Sequence, residues 1–408
     1  MIHTSTTVPP RLTWLRVRNF RALRDVELRD LTPLTVLLGP NGAGKSTLFD
    51  VFAFLKQCFE DGLVRAWRDR WRFRELRTRG VEEPISIELK YREHPQASLL
   101  TYELTIDEKG GVPVLARERL AWSRKGIAGR PRYVLDYAQG VGRVYVEEKG
   151  GYETAPLTSP STIAVNALGR FAKHPQVAAL LDFITGWHLS YLSTHDARGL
   201  PDEGPQEHLA STGDNLANVI QYLEETHPER LQEILAVLVR RIPRLAEVVP
   251  EPTGDGRLQL TFRDEPFSEA VKARWVSDGT LKMLAYLTVL HDPMPPPFLG
   301  VEEPENYLHP RLQPELTEEC RGATGHTQLF LTTHSADIVH GLDPKEVRVL
   351  YRGVDGYTRA VCAQDIPGIP EQVAQGASLG RLWREGHFGV GDPLTAGGLP
   401  TLPTLGAK

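Results

Sequence analysis

Cysteine is scarce in this sequence, and its placement argues against two common kinds of covalent or metal stabilisation. Cys58, Cys320 and Cys362 are the only cysteines in 408 residues, and they stand far apart with no C-x-x-C pair. Disulfide frameworks and structural zinc sites use cysteines at short, paired spacings. The sequence therefore predicts neither, and free thiols in a reducing cytoplasm are the expected state.

The sequence also lacks a long uncharged apolar run, a targeting segment and an excess of positive charge. The first residues, Met-Ile-His-Thr, are not a basic start followed by an apolar core, and no apolar run approaches the length that spans a bilayer. The sequence has 47 Lys and Arg residues and 52 Asp and Glu residues, so its net charge is negative. Non-specific electrostatic binding of nucleic acid over the whole surface is therefore not expected. We expect a soluble cytoplasmic protein without a membrane partner, in which any DNA contact is local.

What the sequence does contain is a glycine-rich loop between an apolar strand and a buried helix. Residues 39–47 read Gly-Pro-Asn-Gly-Ala-Gly-Lys-Ser-Thr, which fits the pattern G-x-x-x-x-G-K-[ST]. The loop follows an apolar run at 34–38 and precedes a run at 48–55 that is apolar around most of a helix. A chance glycine-rich turn is the alternative, but the order of strand, loop and helix favours nucleotide binding.

The loop predicts a phosphate site with a magnesium ion. Its glycines let consecutive N–H groups converge on phosphate oxygens, and the helix N-terminus adds partial positive charge. Lys45 is expected to neutralise the β and γ phosphates, and the Ser46 hydroxyl is expected to bind Mg²⁺, which prefers oxygen ligands. The predicted nucleotide-contacting residues of the loop are Asn41, Gly42, Ala43, Gly44, Lys45, Ser46 and Thr47.

Two later apolar strands deliver polar side chains at their C-terminal ends, where open α/β sheets place their ligands. The strand at 298–301 ends in Glu302 and Glu303, and the strand at 328–331 ends shortly before His334. Glu303 is predicted to activate water for hydrolysis, Glu302 to hold the Mg²⁺ shell, and His334 to sense the γ-phosphate. The alternatives are a solvated acidic loop and a core histidine satisfied by the backbone.

Hydrophobic periodicity predicts how the rest of the chain is organised. Alternation with a period of two over 82–155 predicts an antiparallel β-meander. Helical patterns over 214–241 predict two helices, the second opened by Pro228, and a last strand is expected at 347–351. The predicted segments are an N-terminal ATPase lobe (12–81), the meander of that lobe (82–160), a helical insertion (161–255), a C-terminal ATPase lobe (256–389) and a disordered tail (390–408).

The order of these motifs resembles the nucleotide-binding head shared by the RecF, SMC and ABC-type ATPases. Asn19-Phe20-Arg21 resembles their N-F-R element, residues 276–280 (Val-Ser-Asp-Gly-Thr) resemble the signature loop, Glu302-Glu303 resembles Walker B, and His334 resembles the switch histidine. The run E-E-P-E-x-x-L-H-P followed by T-T-H-S is similar to the OLD-related predicted AAA-type ATPases of bacterial defence and repair. Asp278 departs from the usual signature glycine, and Glu302 departs from the usual Walker B aspartate.

The resemblance implies an α/β fold: an ABC/SMC-head-like P-loop NTPase with a mixed sheet, an antiparallel β-meander lobe and an inserted helical subdomain. It implies slow hydrolysis of ATP with Mg²⁺. It also implies a head-to-tail homodimer bridged by ATP, or a higher oligomer, in which Ser277 and Gly279 of one copy face the γ-phosphate held by the other. Arg21 is expected to touch the nucleotide, and Asn306 and His309 are expected to shape the dimer contact.

The implied function is an ATP-dependent dimerising switch acting on DNA or on a separately encoded effector, in DNA repair or anti-phage defence. OLD-like nucleases carry a C-terminal TOPRIM domain, whereas the segment after Tyr351 is short and has no D-x-D pair, so a nuclease is expected from a partner. The run Arg65–Arg79 is the candidate DNA contact, and a solvated helix face with tryptophans turned to the core is the equal alternative. An ABC-transporter ATPase, whose signature loop normally lies much closer to its phosphate loop, and a non-hydrolysing nucleotide-gated scaffold are the other functions considered.

Overall fold

The computed structural model describes residues 8–70, 73–122 and 132–391, which form two compact units. Unit 1 contains the chain up to Trp187 and from Leu342 onward, and unit 2 contains His188–Gly341. All but the first two residues of the predicted tail at 390–408 lie outside the described residues. The five-segment division of the sequence stays a prediction.

The first part of unit 1 combines an antiparallel sheet with helices. Its described strands are β1 (Arg11–Phe20), β2 (Leu23–Leu28), β3 (Leu34–Leu38), β4 (Ile85–Arg92), β5 (Leu100–Lys109), β6 (Val112–Trp122), β7 (Arg132–Ala138), β8 (Val141–Val146) and β9 (Gly151–Thr154). Its described helices are α1 (Lys45–Asp61), α2 (Leu63–Asp69), α3 (Phe73–Leu76), α4 (Ala164–Leu168) and α5 (Pro175–Thr185).

The antiparallel sheet follows directly from the alternating sequence. In β4 every second side chain is buried, and Ile87 pairs with Val17 on one neighbour and with Leu104 on the other. Among the described residues the strand order is β2-β1-β4-β5-β6-β7-β8-β9, so the predicted β-meander is confirmed and is extended by β1 and β2. Its buried face packs against α1, where the rings of Phe59 and Tyr102 meet edge to face at 5.6 Å.

Unit 2 contains a parallel and an antiparallel group of strands. Its described strands are β10 (His188–Ser190), β11 (Leu245–Pro252), β12 (Leu258–Asp264), β13 (Val271–Lys272), β14 (Phe298–Glu302) and β15 (Gln328–Thr333). Its described helices are α6 (Thr194–Ala197), α7 (Leu216–Thr226), α8 (Pro228–Arg241), α9 (Asp278–Leu290) and α10 (Gln313–Ala323). Strands β10, β14 and β15 are parallel, β11 to β13 are antiparallel, and α8 begins at Pro228 as predicted.

The chain returns to unit 1 with β16 (Val347–Arg352), β17 (Thr358–Cys362), α11 (Ile369–Ala374) and α12 (Leu379–Arg384). Strand β3 is buried along its whole length, β16 runs parallel to it, and β17 runs antiparallel to β16. This sheet is therefore mixed, as predicted. The sequence prediction missed β17, although Asp355-Gly356 is a recognised hairpin signal. Within the described part of the chain, no helix combines the length and apolar character needed to cross a membrane.

Candidate nucleotide-binding and hydrolysis site

The phosphate loop lies in unit 1, between buried strand β3 and the first turn of α1. Gly44 directly precedes α1 with a φ of 104°, which is left-handed backbone that glycine adopts without steric cost. Gly42 is also left-handed, with a φ of 77°. Asn41, Gly42 and Ser46 are exposed, so the tip of the loop and the first hydroxyl of the helix are open to solvent.

Lys45 is held inside the loop. Its side chain is almost fully buried, and its Nζ donates to the carbonyl oxygens of Gly39 at 2.7 Å and Pro40 at 3.1 Å. Ala43 and Gly44 are buried and Thr47 is half-buried, so the loop residues after Gly42 pack inward except for Ser46. An ammonium group, left-handed glycines and an exposed hydroxyl at a helix N-terminus fit a triphosphate with Mg²⁺.

Arg21, which is predicted to touch the nucleotide, forms an ion pair with Asp50 of α1. Its Nη1 lies 3.0 Å from Oδ2 of Asp50, which stands one turn after Ser46 on α1. Arg70 Nε donates to the other oxygen of Asp50 at 3.0 Å. Asp50 therefore connects Arg21 to the helix that starts at the phosphate loop, and a role for Arg21 in nucleotide contact stays a prediction.

In unit 2 the parallel pairing of β14 and β15 brings Glu303 and His334 together. Glu302 is the last residue of β14 and pairs with Thr332, so the residues that follow both strands emerge at the same edge. Oε1 of Glu303 lies 3.6 Å from Nδ1 of His334, and Oε2 accepts from Asn306 Nδ2 at 3.0 Å. The two residues predicted to act on the γ-phosphate are thus neighbours, and His334 is exposed.

The backbone at Glu303 is held in a strained position. Its φ is 44°, and its N–H donates to both the carbonyl and the hydroxyl oxygen of Thr332, at 3.0 and 3.1 Å. A left-handed residue that is not glycine costs free energy and persists only where its surroundings hold it. The hydrogen bonds from the Glu303 N–H to Thr332 stabilise this backbone conformation and fix the direction of the Glu303 side chain.

Glu305, two residues later, stabilises the loop that carries His334. It is almost fully buried, and its Oε1 accepts from the Thr333 hydroxyl at 2.7 Å and from the His334 N–H at 2.9 Å. The same oxygen lies 3.3 Å from His334 Nδ1. The sequence pattern gives Glu305 no role of its own, although it belongs to the same acidic run. Glu305 is buried, whereas Glu302 and Glu303 are half-buried.

The signature-like segment is a capped helix N-terminus. The Ser277 hydroxyl accepts from the Thr280 N–H at 3.2 Å, which caps α9, and Ser277 is exposed. A Cβ added at Gly279 would lie 2.9 Å from the carbonyl oxygen of Tyr307, so glycine lets the first turn of α9 approach the loop after β14.

Asp278, the departure from the family pattern, has a partner in the same unit. Its carboxylate accepts from Arg198, whose other terminal nitrogen donates to the Val276 carbonyl at 2.6 Å. The hydrogen bond from Arg198, with a further one from Thr194, lowers the pKa of Asp278. Arg198 lies too far away in sequence for a local pattern to reveal it, and only the fold identifies it as a brace for the signature segment.

Lys282 is a second residue of the site that no sequence motif marks. It lies one turn into α9, is almost fully buried, and donates from Nζ to the Glu303 carbonyl at 3.4 Å. Burial lowers its pKa to about 8, and the carboxylates of Glu305, Glu303 and Asp278 only partly oppose that effect. The lysine therefore connects the signature helix to the loop that carries Glu303.

Asn306 and His309 take part in local contacts. Asn306 holds Glu303, as described, and His309 Nδ1 accepts from the Arg311 N–H at 3.2 Å in the turn that precedes α10. His309 is exposed. Their predicted part in a dimer contact stays a prediction.

The arginine-rich run Arg65–Arg79 has both a buried tryptophan and exposed arginines among its described residues. Trp67 is buried in the core, while Arg65 and Arg68 are exposed and have Asp69 within 4 Å. Arg70 is drawn inward to Asp50. Trp71 and Arg72 lie outside the described residues. Local acidic partners thus offset part of the positive charge.

Comparison with known proteins gives a family and a fold. The family model described as "AAA domain, putative AbiEii toxin, Type IV TA system" matches residues 34–139 and 141–339. A solved SmcHead bound to the C-winged helix domain of ScpA is 12% identical with a TM-score of 0.51, over 86% of this chain and 97% of that one.

Two further solved SMC heads are similar at the same low level of identity. The head domain from Thermotoga maritima is 15% identical with a TM-score of 0.47, over 86% of this chain and 98% of that one. The head domain from Pyrococcus furiosus, bound to the C-terminal domain of ScpA, is 12% identical with a TM-score of 0.48, over 90% and 100%. The narrower resemblance to OLD-related ATPases stays a prediction. Since the family model matches residues 34–139 and 141–339, which is most of the chain, and the fold is similar to that of an SMC head, the protein belongs to this AAA domain family.

Proposed function

We propose that this protein binds and slowly hydrolyses ATP, and that ATP closes a head-to-tail homodimer which hydrolysis reopens. The observation that carries the proposal is the juxtaposition of Glu303 and His334 at the ends of two parallel strands, with 3.6 Å between carboxylate and imidazole. Both residues are held in place at this edge, Glu303 by the Asn306 side chain and the His334 backbone by Glu305. Family membership supports the coarser statement that the chain is a nucleotide-binding ATPase.

The chemistry assigned to unit 2 is activation of water. Bound ATP with Mg²⁺ supplies the electrophilic phosphorus and the leaving group. Glu303 accepts a proton from the attacking water, and Asn306 orients the carboxylate by donating to Oε2. His334, placed by the bond from its N–H to Glu305, donates a hydrogen bond to the γ-phosphate. Glu302 helps to hold the metal shell through oxygen or water.

The chemistry assigned to unit 1 is binding. The ammonium of Lys45 compensates the β and γ phosphate charges, and the exposed Ser46 hydroxyl takes a position in the Mg²⁺ shell. Arg21, anchored by Asp50, lies near the start of the same helix and contributes positive charge. The carbonyl bonds of Lys45 position its ammonium at the loop that receives the phosphates.

The dimer part of the proposal rests on the signature segment. Ser277 is exposed at the N-terminus of a 13-residue helix, and Gly279 lies within its first turn. A helix N-terminus attracts phosphate through unpaired N–H groups and its partial positive charge. We assign this end of α9 to the γ-phosphate held by a second copy, so that loss of that phosphate weakens the contact.

The proposed output is a change imposed on DNA or on a separately encoded effector such as a nuclease, in repair or anti-phage defence. The SMC head of the first similar structure is bound to a domain of another protein, which supports a protein partner for a head of this fold. The exposed Arg65 and Arg68 support a local DNA contact. Cleavage of DNA by the purified chain alone, lost in Glu303→Gln, would contradict the separate effector.

The test compares three variants of the full chain in ATP turnover and in sedimentation with ATP and Mg²⁺. Glu303→Gln is expected to lower turnover by about 10²- to 10⁴-fold while retaining ATP and accumulating as a dimer. Lys45→Ala is expected to lose nucleotide binding and to remain monomeric. Glu318→Gln makes the same chemical change at an exposed glutamate of unit 2 and should match the wild type. Equal turnover by wild type and Glu303→Gln would reject Glu303 as the base.

A further inference from the structure

The β16–β17 hairpin at the C-terminal end of unit 1 packs directly against the phosphate loop. In the parallel register Val349 pairs with Leu38, which sets Leu350 beside Gly39. A Cβ at position 39 would lie only 2.3 Å from the Leu350 carbonyl oxygen. Gly39 is therefore required by this strand contact, in addition to any demand made by a phosphate.

Beyond that point the hairpin donates two hydrogen bonds to the loop backbone. Strand β16 continues past the end of β3, and Arg352 Nε donates to the Gly42 carbonyl at 2.6 Å. After the turn, the Thr358 hydroxyl donates to the Ala43 carbonyl at 2.9 Å. Thr358 is 1% exposed, so its bond to the loop is shielded from water.

Gly44 fits this contact as closely as Gly39 does. A Cβ at position 44 would lie 2.3 Å from the Thr358 hydroxyl oxygen. Thr358 also donates from its backbone N–H to the Ala22 carbonyl at 3.0 Å, which fixes the start of β17 independently of its side chain. The hydroxyl is therefore placed against the loop by a strand that is already anchored elsewhere.

These bonds decide which way the loop amides point. In a trans peptide the carbonyl of one residue and the N–H of the next point in opposite directions. Because Thr358 holds the Ala43 carbonyl toward the hairpin, the Gly44 N–H points away from the hairpin. Arg352 holds the Gly42 carbonyl in the same way, and the Ala43 N–H of that peptide donates to the Pro40 carbonyl at 3.2 Å within the loop. The hairpin thus fixes two consecutive peptide planes of the loop.

We propose that Thr358, assisted by Arg352, is a positioning residue of the nucleotide site that pre-orients the phosphate-loop amides for a triphosphate. The inference rests on the proposed nucleotide binding and deepens it, because it assigns part of the binding free energy to a strand that the phosphate-loop motif does not contain. A loop oriented in advance binds more tightly because less ordering remains to be done on binding.

The experiment measures the dissociation constants of ATP and ADP by calorimetry on the full chain, together with its thermal midpoint. Thr358→Val keeps the shape and removes the donor, and we expect about tenfold weaker binding of both nucleotides. Thr358→Ser restores a hydroxyl and should bind within about twofold of wild type. A role confined to folding would lower the thermal midpoint of Thr358→Val without separating the two variants in affinity.

A second variant, at the exposed Arg352, tests the positioning role even if Thr358→Val fails to fold. Arg352→Met removes the donor to the Gly42 carbonyl, together with the one to the Gly356 carbonyl, from an exposed position and should weaken nucleotide binding several-fold. Arg359→Met is the matched control, because Arg359 lies on the same hairpin and pairs with Asp355 instead of the loop. It should bind like the wild type.

The possible results distinguish a failure of the positioning role of Thr358 from a failure of the proposed nucleotide binding. If the wild type binds nucleotide and Thr358→Val and Arg352→Met bind it equally well, the positioning role is wrong while the proposed function stands. Equally weak binding by Thr358→Ser and Thr358→Val would also overturn it, since the hydroxyl would not be what matters. If the wild type binds no nucleotide, both proposals fail.

Discussion

Replacing Lys282 with methionine should change how the stability of the protein depends on pH. The lysine is 4% exposed, and burial lowers its pKa from 10.5 to about 8. Methionine has similar length and no charge, so Lys282→Met removes the titrating group while filling most of its space. The same change removes one of two donors to the Glu303 carbonyl, which still accepts from the Asn306 N–H at 3.2 Å.

The magnitude follows from linkage between protonation and folding. Because the folded-state pKa of Lys282 lies below its ordinary value, the unfolded chain holds the proton more tightly between about pH 8 and pH 10.5. The burial penalty is fully present below that window, at about 3 kcal/mol, and is relieved as pH rises through it. Between pH 7 and pH 9.5 the relief is about 2 kcal/mol.

Urea unfolding of both proteins at several pH values between 7 and 9.5 measures this effect. The free energy of unfolding of the wild type should gain about 2 kcal/mol relative to Lys282→Met across that range, since all other groups are shared. Lys272→Met, a change at an exposed lysine of the same unit, should parallel the wild type. A constant difference between wild type and Lys282→Met at every pH would refute the reasoning about Lys282.

Two further substitutions test other parts of the structure. Gly44→Ala places a Cβ on backbone with φ 104°, at 2.3 Å from the Thr358 hydroxyl oxygen. It should therefore lower the free energy of unfolding by more than about 1 kcal/mol and weaken ATP binding measured by calorimetry. An unchanged ATP affinity would contradict the loop geometry. Burial raises the pKa of Glu118 to about 7, against the opposing effect of hydrogen bonds from the Ala164 and Val165 N–H groups and from Tyr102. Because this pKa lies above the ordinary 4.5, stability from this group is present at low pH and falls by about 2 kcal/mol between pH 5 and pH 8. Denaturation of Glu118→Gln should show a weaker loss of stability over that range than the wild type, and identical pH profiles would show that Glu118 is not the responsible group.

The parts of the fold that the sequence predicts are those coded by short-range patterns. The phosphate loop has its strand, glycines and helix within a single stretch, and the alternation in β4 and β5 marks the antiparallel sheet. The adjacency of Glu303 and His334 follows from one further rule, since polar residues after two parallel strands emerge at the same edge.

The parts that the sequence does not reveal depend on long-range partners. Arg198 braces Asp278, and Thr358 braces Ala43, across 80 and 315 positions of sequence, and no local period encodes such a pairing. Lys282 lies in a helix that is apolar on nearly every side, where a single lysine gives no sign of whether it is buried. Its burial becomes evident only when the loop after β14 covers it.

The most direct test of the account uses two inactive variants mixed together. Glu303→Gln lacks the base, and Ser277→Arg obstructs the signature end of α9, so each is expected to hydrolyse ATP slowly on its own. In a mixed head-to-tail dimer, one of the two sites combines the Glu303 of one copy with the Ser277 of the other. We predict that equimolar mixing restores ATP turnover to about a quarter of the wild-type rate, because half of the dimers are mixed and each has one complete site. Turnover that stays at the level of the separate variants would contradict an ATP site shared between two copies.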